Sequence, residues 1–317
     1  MKLAKLGFLA ATALATMPAA FAQETVKIGD FTWTGSDAIG HVIAAVINGP
    51  LGSEAVIVEG LSDGDVVAAG MDRGDGSVDV YPDLWMPNRQ PVWDEYVDGA
   101  GTVGVNIPYA GTQMIYVPSY MADIASSIED LSDPAVAALF DTDGDGLGEY
   151  WAGDATWSST KMWQVKFKSY GLSELWEPNI IPDATFKAQL EAAVNQEKPM
   201  LFYYWTPEWV HAAYDLTPIA EPATYEGCLG QMDLASEDWL EVSEFDCASA
   251  DASIYVAYSK SLEQRNPPVA KFLSQMSLDP ATVNQWILQI GRDEEDPVDV
   301  AEQWVADNMD IVNSWIQ

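Results

Sequence analysis

The chain has 317 residues, with 14 Lys+Arg against 49 Asp+Glu for a formal charge of −35, and it is 48% hydrophobic. A surface this acidic repels phosphate backbones and excludes nucleic acid as a partner, while the apolar share suffices for a core and excludes a disordered chain. Two Cys and two His leave little for thiol or zinc chemistry, whereas 13 Trp exceed what core packing requires.

In chain order, Met1–Ala22 comes first. Lys2 and Lys5 form a basic start, Leu6–Met17 is apolar, and Ala20-Phe21-Ala22 is a small-x-small cleavage signal. This pattern predicts a cleaved secretory signal peptide, hence export to a periplasm. No later stretch is long and apolar enough to predict a membrane span. Val26–Gly29 predicts a strand, Asp37–Asn48 a helix ended by Gly49-Pro50, and Ala55–Glu59 a second strand. A helix over Asp63–Met71 and a strand over Val78–Tyr81 follow. The alternation predicts an α/β fold with parallel strands.

Further along, Thr112–Pro118 predicts a strand and Ile128–Phe140 a helix. Ser159–Tyr170 and Thr185–Gln196 predict helices, and Pro199–Tyr204 an aromatic strand. Glu221–Ala250 reads as loop-rich. Helices are expected over Pro268–Met276, Pro280–Ile290 and Val298–Ile316. Cys228 and Cys247, 19 apart, are expected to form a disulfide in an oxidising compartment. In the chain-entropy model such a bridge contributes roughly 3 kcal/mol.

Three motifs carry chemistry. Gly60-Leu61-Ser62-Asp63-Gly64 matches the G-x-S-x-G nucleophile elbow, with His211 elsewhere as a base. The competing reading makes Ser62 or Asp63 a helix cap, and no oxyanion segment accompanies the motif. A secreted serine hydrolase is therefore the disfavoured alternative, and the chain is expected not to be an enzyme. The second motif runs Asp141-Thr142-Asp143-Gly144-Asp145-Gly146-Leu147-Gly148-Glu149. Asp141, Asp143, Asp145, the Leu147 carbonyl and Glu149 suit a structural Ca²⁺, although Ala152 stands where an EF-hand carries its bidentate Glu. A solvated acidic turn is the alternative.

The third motif is the placement of tryptophan. Trp85 follows the strand predicted over Val78–Tyr81, Trp205 follows the one over Pro199–Tyr204, and Trp157 precedes a helix. The ends of elements are where α/β folds place ligands, whereas Trp163, Trp286 and Trp304 read as core. Several indole faces around one cavity attract a methylated ammonium, each by about 0.5–2 kcal/mol.

The segments Asp83–Arg89 (DLWMPNR), Leu139–Trp151 (LFDTDGDGLGEYW) and Tyr203–Val210 (YYWTPEWV) resemble the substrate-binding proteins of glycine betaine/proline betaine ABC transporters. The resemblance covers essentially the whole exported chain. It implies a type II-like, two-lobed periplasmic binding protein with a ligand cleft between the lobes. Two hinge crossings are expected, near Tyr109–Gly111 and near His211–Leu216, which makes lobe 1 residues 23–110 and 213–317 and lobe 2 residues 111–212. Trp85, Trp157 and Trp205 are the implied cage for a trimethylammonium head. Ser158 and Ser159 are the implied carboxylate donors, with Arg89 where some relatives carry His. Trp33 and Trp209 are additional aromatics near the same loops. The implied ligand is glycine betaine or trimethylamine N-oxide, with choline, carnitine or a sulfonium analogue as alternatives. The implied partners are an ABC permease and its ATPase, with the receptor a monomer in solution and no cofactor beyond the Ca²⁺ considered above.

Overall fold

A computed structural model describes residues 24–61, 63–228 and 232–317. The predicted signal peptide and Ser62 lie outside the described residues. Ten strands are present among them: β1 (Val26–Gly29), β2 (Ala55–Val58), β3 (Val80–Met86), β4 (Val103–Val105), β5 (Tyr109–Pro118), β6 (Gly148–Gly153), β7 (Trp176–Ile180), β8 (Leu201–Thr206), β9 (Leu216–Pro218) and β10 (Ala252–Ser259). They follow one path, β2-β1-β3-β10-β5-β8-β6-β7, with β4 beside β10 and β9 beside β5. The β1–β2 and β1–β3 pairs are parallel, as are β6–β7 and β6–β8.

The long strand β5 joins the two halves of this path. Its start, Tyr109–Gly111, pairs antiparallel with β10, and from Thr112 to Tyr116 it pairs with β8. At the changeover a Cβ on Gly111 would stand 2.6 Å from the Ile254 side chain and 2.7 Å from the Thr206 carbonyl. Only glycine lets the two sheets approach this closely there.

The helix Thr34–Asn48 covers β1–β3, with Ile39, Ile43, Val46 and Ile47 fully buried. Each such side chain contributes about 1.5–3 kcal/mol. Its outer neighbours are the helices Pro280–Gly291 and Pro297–Asp307. Trp163 and Trp286 are fully buried core residues, and Trp304 is half-buried with its ring stacked 5.7 Å from Trp315.

Several boundaries differ from the sequence expectation. The third strand runs over Val80–Met86, so Trp85 lies inside it. Pro82 and Asp83 discourage a strand by propensity, but Pro82 falls in the interval where the β3–β10 register shifts, and β1 pairs with β3 at Val80 alone. The missing Pro82 N–H therefore breaks no ladder bond. Likewise Trp205 lies within β8. The helix expected over Ile128–Phe140 is two short ones, Ile128–Leu131 and Pro134–Ala137. Asp133 ends the first by capping the second, its carboxylate accepting the Ala135 N–H, with Pro134 in the first turn. The C-terminal helix divides at Asn308 into Pro297–Asp307 and Met309–Ile316. Strands β4, β6, β7, β9 and β10 have no counterpart in the sequence expectation.

The segment after β9 stays on the β5–β9 half. Glu221 pairs with the buried Lys166 at 2.5 Å, Lys168 donates to the carbonyls of Leu240 and Ser243, and the Ser169 hydroxyl accepts the Phe245 N–H. All three anchors sit on the helix Ser158–Ser169. The Cys228–Cys247 disulfide, expected from the sequence, closes this segment, and both cysteines are buried.

Candidate functional site

Where the two halves meet, residues far apart in sequence line one cavity of about 50 Å³. On that measure it holds a handful of water-sized spaces, enough for a compact ligand. Four walls are indoles, of Trp33, Trp85, Trp157 and Trp205. Trp33 stands at the turn into the helix Thr34–Asn48, and Trp157 is the N-cap of the helix Ser158–Ser169. Trp85 and Trp205 occupy the ends of β3 and β8, each followed two residues later by a cis proline, Pro87 and Pro207. The Trp157 ring is 6.1 Å from Trp33 at 85° and 5.1 Å from Trp205 at 83°. Perpendicular rings at these distances form the corners of a box rather than a stack.

Strand β3 supplies one wall: Tyr81, Asp83 and Trp85 all line the cavity, on either side of the register shift between Tyr81 and Leu84. Asp83 is buried, and its Oδ2 accepts the indole N–H of Trp33 at 2.5 Å and of Trp85 at 3.0 Å. Its Oδ1 accepts the Tyr109 hydroxyl at 2.8 Å. Burial pushes the Asp83 carboxyl above the usual carboxylate range, against the pull of those three donors. A second polar group is the reciprocal amide pair of Asn88 and Gln113, onto which the Tyr203 hydroxyl donates at 3.0 Å.

At the other end, Ser158 and Ser159 open a twelve-residue helix that has no side-chain cap. The first N–H groups of such a helix have no intrahelical partner and favour an anion. Arg89 also lines the cavity, but its guanidinium already pairs with Asp65 at 3.1 Å. Contacts cross the cleft: the Trp157 indole N–H donates to Thr32 at 3.0 Å, and Lys187 to the Thr34 hydroxyl at 3.3 Å.

The structure thus brings Trp33, Trp85, Arg89, Trp157, Ser158, Ser159 and Trp205 to one cavity. It does not bring Trp209 there. That indole is buried beneath the Lys187 ammonium, 5.5 Å away, and against Gly291. Tyr81, Asp83, Asn88, Thr156 and Tyr203 line the cavity without having been singled out from sequence. The first two sit around the register shift of β3, which simple alternation along the strand does not reveal.

Of the hydrolase constellation, Ser62 lies outside the described residues and the structure places its other members as follows. Asp63 is the cap of the following helix, accepting the N–H of Asp65 and Val66. The His211 ring donates through Nε2 to the Trp205 carbonyl at 2.9 Å, and burial lowers its pKa. It buttresses the strand that carries a cavity indole. In the acidic loop, Asp141, Asp143 and Glu149 converge, as do Asp143, Asp145 and Glu177 of β7. Their oxygens also accept the loop's own N–H groups, of Thr142, Gly144, Asp145, Gly146 and Leu147.

Comparison with known proteins agrees with this geometry. The chain is 24% identical over 198 residues to the glycine betaine-binding periplasmic protein OusX of Dickeya dadantii, covering 60% of this chain and 54% of that one. It therefore spans little more than half the length of the curated relatives it matches. Among solved structures, the glycine betaine/L-proline-binding protein of Borrelia burgdorferi superposes with a TM-score of 0.73 at 18% identity, over 93% of this chain and 97% of that one. Lactococcal OpuAC in its closed form with glycine betaine gives a TM-score of 0.69 at 19% identity, over 93% and 100%. These likenesses establish the two-lobed periplasmic binding protein fold. The model of the family described as the substrate binding domain of ABC-type glycine betaine transport systems matches residues 24–307, and the chain belongs to that family.

Proposed function

We propose that this chain is a periplasmic receptor that captures a methylated-amine osmolyte, of the glycine betaine or trimethylamine N-oxide type, and delivers it to an ABC permease and its ATPase. One observation carries the reading: four indoles, two from each half of the sheet, wall a single compact cavity. A trimethylammonium head has no N–H to donate and is held by aromatic faces. The open helix start at Ser158 and Ser159, with Arg89, supplies a polar end for a carboxylate or an N-oxide oxygen. Because the walls come from both halves, ligand bridges them and favours closure, and the closed form is what the permease recognises.

The pairing pattern supports lobes that exchange the chain at Gly111–Thr112 and again near Ala250–Ala252. The support for the later second crossing, in place of His211–Leu216, is that β9 pairs with the far end of β5 and residues 221–247 are tied to the helix Ser158–Ser169. The acidic loop carries a separate and smaller proposal, a hard-cation site built on Asp143 and its neighbours.

The test is calorimetry with glycine betaine, trimethylamine N-oxide, choline, carnitine and a sulfonium analogue. At least one should bind, and Trp205→Ala should weaken it about tenfold or more, on the order of 1.4 kcal/mol. No heat with any of them, or unchanged affinity in the variant, overturns the reading.

A further inference from the structure

Among the described residues Asp83 is the one carboxylate on the cavity wall, and it is 1% exposed. All its hydrogen bonds come from neutral donors, two indoles and a phenol. Among the described residues no Lys, Arg or His forms an ion pair with it, and the nearby Arg89 is paired with Asp65 instead. A buried carboxylate without a counter-cation forfeits hydration that neutral donors only partly replace. The fold accepts that loss beside four indole faces, which are themselves negative at their centres. Apart from Arg89, whose guanidinium is paired with Asp65, the charged and aromatic walls of the cavity therefore favour positive charge.

On the cage reading above, we propose that Asp83 is the buried counter-charge of the site, and that the cationic head of the ligand completes the ion pair the fold leaves open. Asp83 then has two tasks. It orients the Trp33 and Trp85 indoles through Oδ2, and it makes the site discriminate a methylated cation from a neutral group of the same shape. The ligand class is narrowed to molecules whose positive charge sits at the compact head: a methylated ammonium, a sulfonium or an amine oxide.

Asp83→Asn separates the two tasks. The Asn carbonyl can accept both indole N–H groups where Oδ2 does, and its NH₂ can donate to the Tyr109 oxygen where Oδ1 accepted. The indole bonds are kept and the charge is lost, with the Tyr109 bond reversed so that its hydroxyl accepts. The probes are glycine betaine and 3,3-dimethylbutanoate, which has carbon in place of nitrogen, keeps the carboxylate and lacks the head charge. Glycine betaine binding should fall by about tenfold or more in Asp83→Asn while the isostere stays within about twofold or tightens. Equal losses for both probes overturn the counter-charge and leave Asp83 a positioning residue.

Tyr109→Phe keeps the charge and removes one donor. It should hold glycine betaine within about threefold of the unaltered protein, and a tenfold loss there counts against the proposal. This comparison decides the matter if Asp83→Asn fails to fold or if the isostere binds neither form. The two readings fail separately. An unaltered protein that binds no methylated amine overturns the receptor, whereas one that binds glycine betaine, beside an Asp83→Asn variant of unchanged selectivity, overturns only Asp83.

Discussion

The indole cavity and the acidic loop are both carboxylate-bearing features, and they differ in how the chain builds them. The loop is nine consecutive residues, Asp141–Glu149, and apart from Glu177 its groups are sequence neighbours. Its carboxylates are largely solvated and occupied with the N–H groups of their own turn. The cavity draws residues 33, 83, 85, 157 and 205 from distant places, and its carboxylate is buried and holds two of the walls. Burial removes the water that screens charge, so a cavity group acts on a ligand far more strongly than a loop group does. A contiguous acidic run says where charge is, and convergence from both halves of the sheet says where a ligand can be enclosed.

The largest effect is expected at Trp157, the indole shared by most walls. It contacts Trp33, Trp151 and Trp205, and its N–H bridges the cleft to Thr32. Trp157→Ala removes one cation–π face and the bridge together, and should weaken ligand binding about 100-fold, near 2.7 kcal/mol. Calorimetry at constant ionic strength reads it. A loss under threefold would mean that the walls act independently of Trp157.

Next is a carboxylate that the loop cannot imitate. Glu208 is buried, with Lys187 3.3 Å from its Oε1 and 2.8 Å from Asp183. Burial pushes the Glu208 carboxyl from 4.5 up to about 7, the Lys187 attraction notwithstanding. A pKa raised on folding contributes stability that is complete below 4.5 and is lost as pH rises through about 7. Glu208→Gln stays neutral throughout. It should match the unaltered protein near pH 4 and exceed it by about 3 kcal/mol at pH 8. Thermal melts across this range read the effect, and parallel curves for the two proteins would count against it.

A smaller effect is expected at Ser159, which is buried at the open helix start and against Tyr203. Ser159→Ala removes a hydroxyl but no backbone N–H, so glycine betaine should weaken only about three- to fivefold, near 1 kcal/mol. A hundredfold loss would show the side chain, and not the helix terminus, to be the main anion donor.

Much of this was legible in the sequence, for reasons particular residues make plain. Trp85, Trp157 and Trp205 stood out because they sit in distinctive segments at the ends of elements, and the structure does gather them. Trp33 was also found, while Trp209 sat in the same kind of segment and turned away to cover Lys187. Side-chain direction at a strand end is set by register, which a motif does not encode. Asp83 was passed over because acids are common in this chain and its strand was cut short at Tyr81. Its burial depends on Tyr109 and Trp33, which no local pattern connects to it. Strand β10 was missed although Ala252–Ser259 is rich in β-branched and aromatic residues, because it follows a long polar stretch.

The smallest expected effect on ligand binding is at the loop, and it sharpens the contrast from the other side. Asp143 belongs to both carboxylate triads, one with Asp141 and Glu149, the other with Asp145 and Glu177. Asp143→Asn keeps an oxygen to accept the Asp145 N–H, as Oδ1 does at 3.0 Å, and removes the charge that a hard cation needs. Ligand affinity should change by less than about twofold, since Asp143 is exposed, solvent-screened and no part of the cavity lining. Ca²⁺, by contrast, should raise the melting temperature of the unaltered protein, by up to about 2.7 kcal/mol of stability at 100 times its Kd, and should have no such effect on Asp143→Asn. Neither heat nor a thermal shift on adding Ca²⁺ to the unaltered protein would reduce the loop to a turn that satisfies its own backbone. In that case the chain's acidity, for all its 49 carboxylates, would act on bound ions only where the fold has buried it.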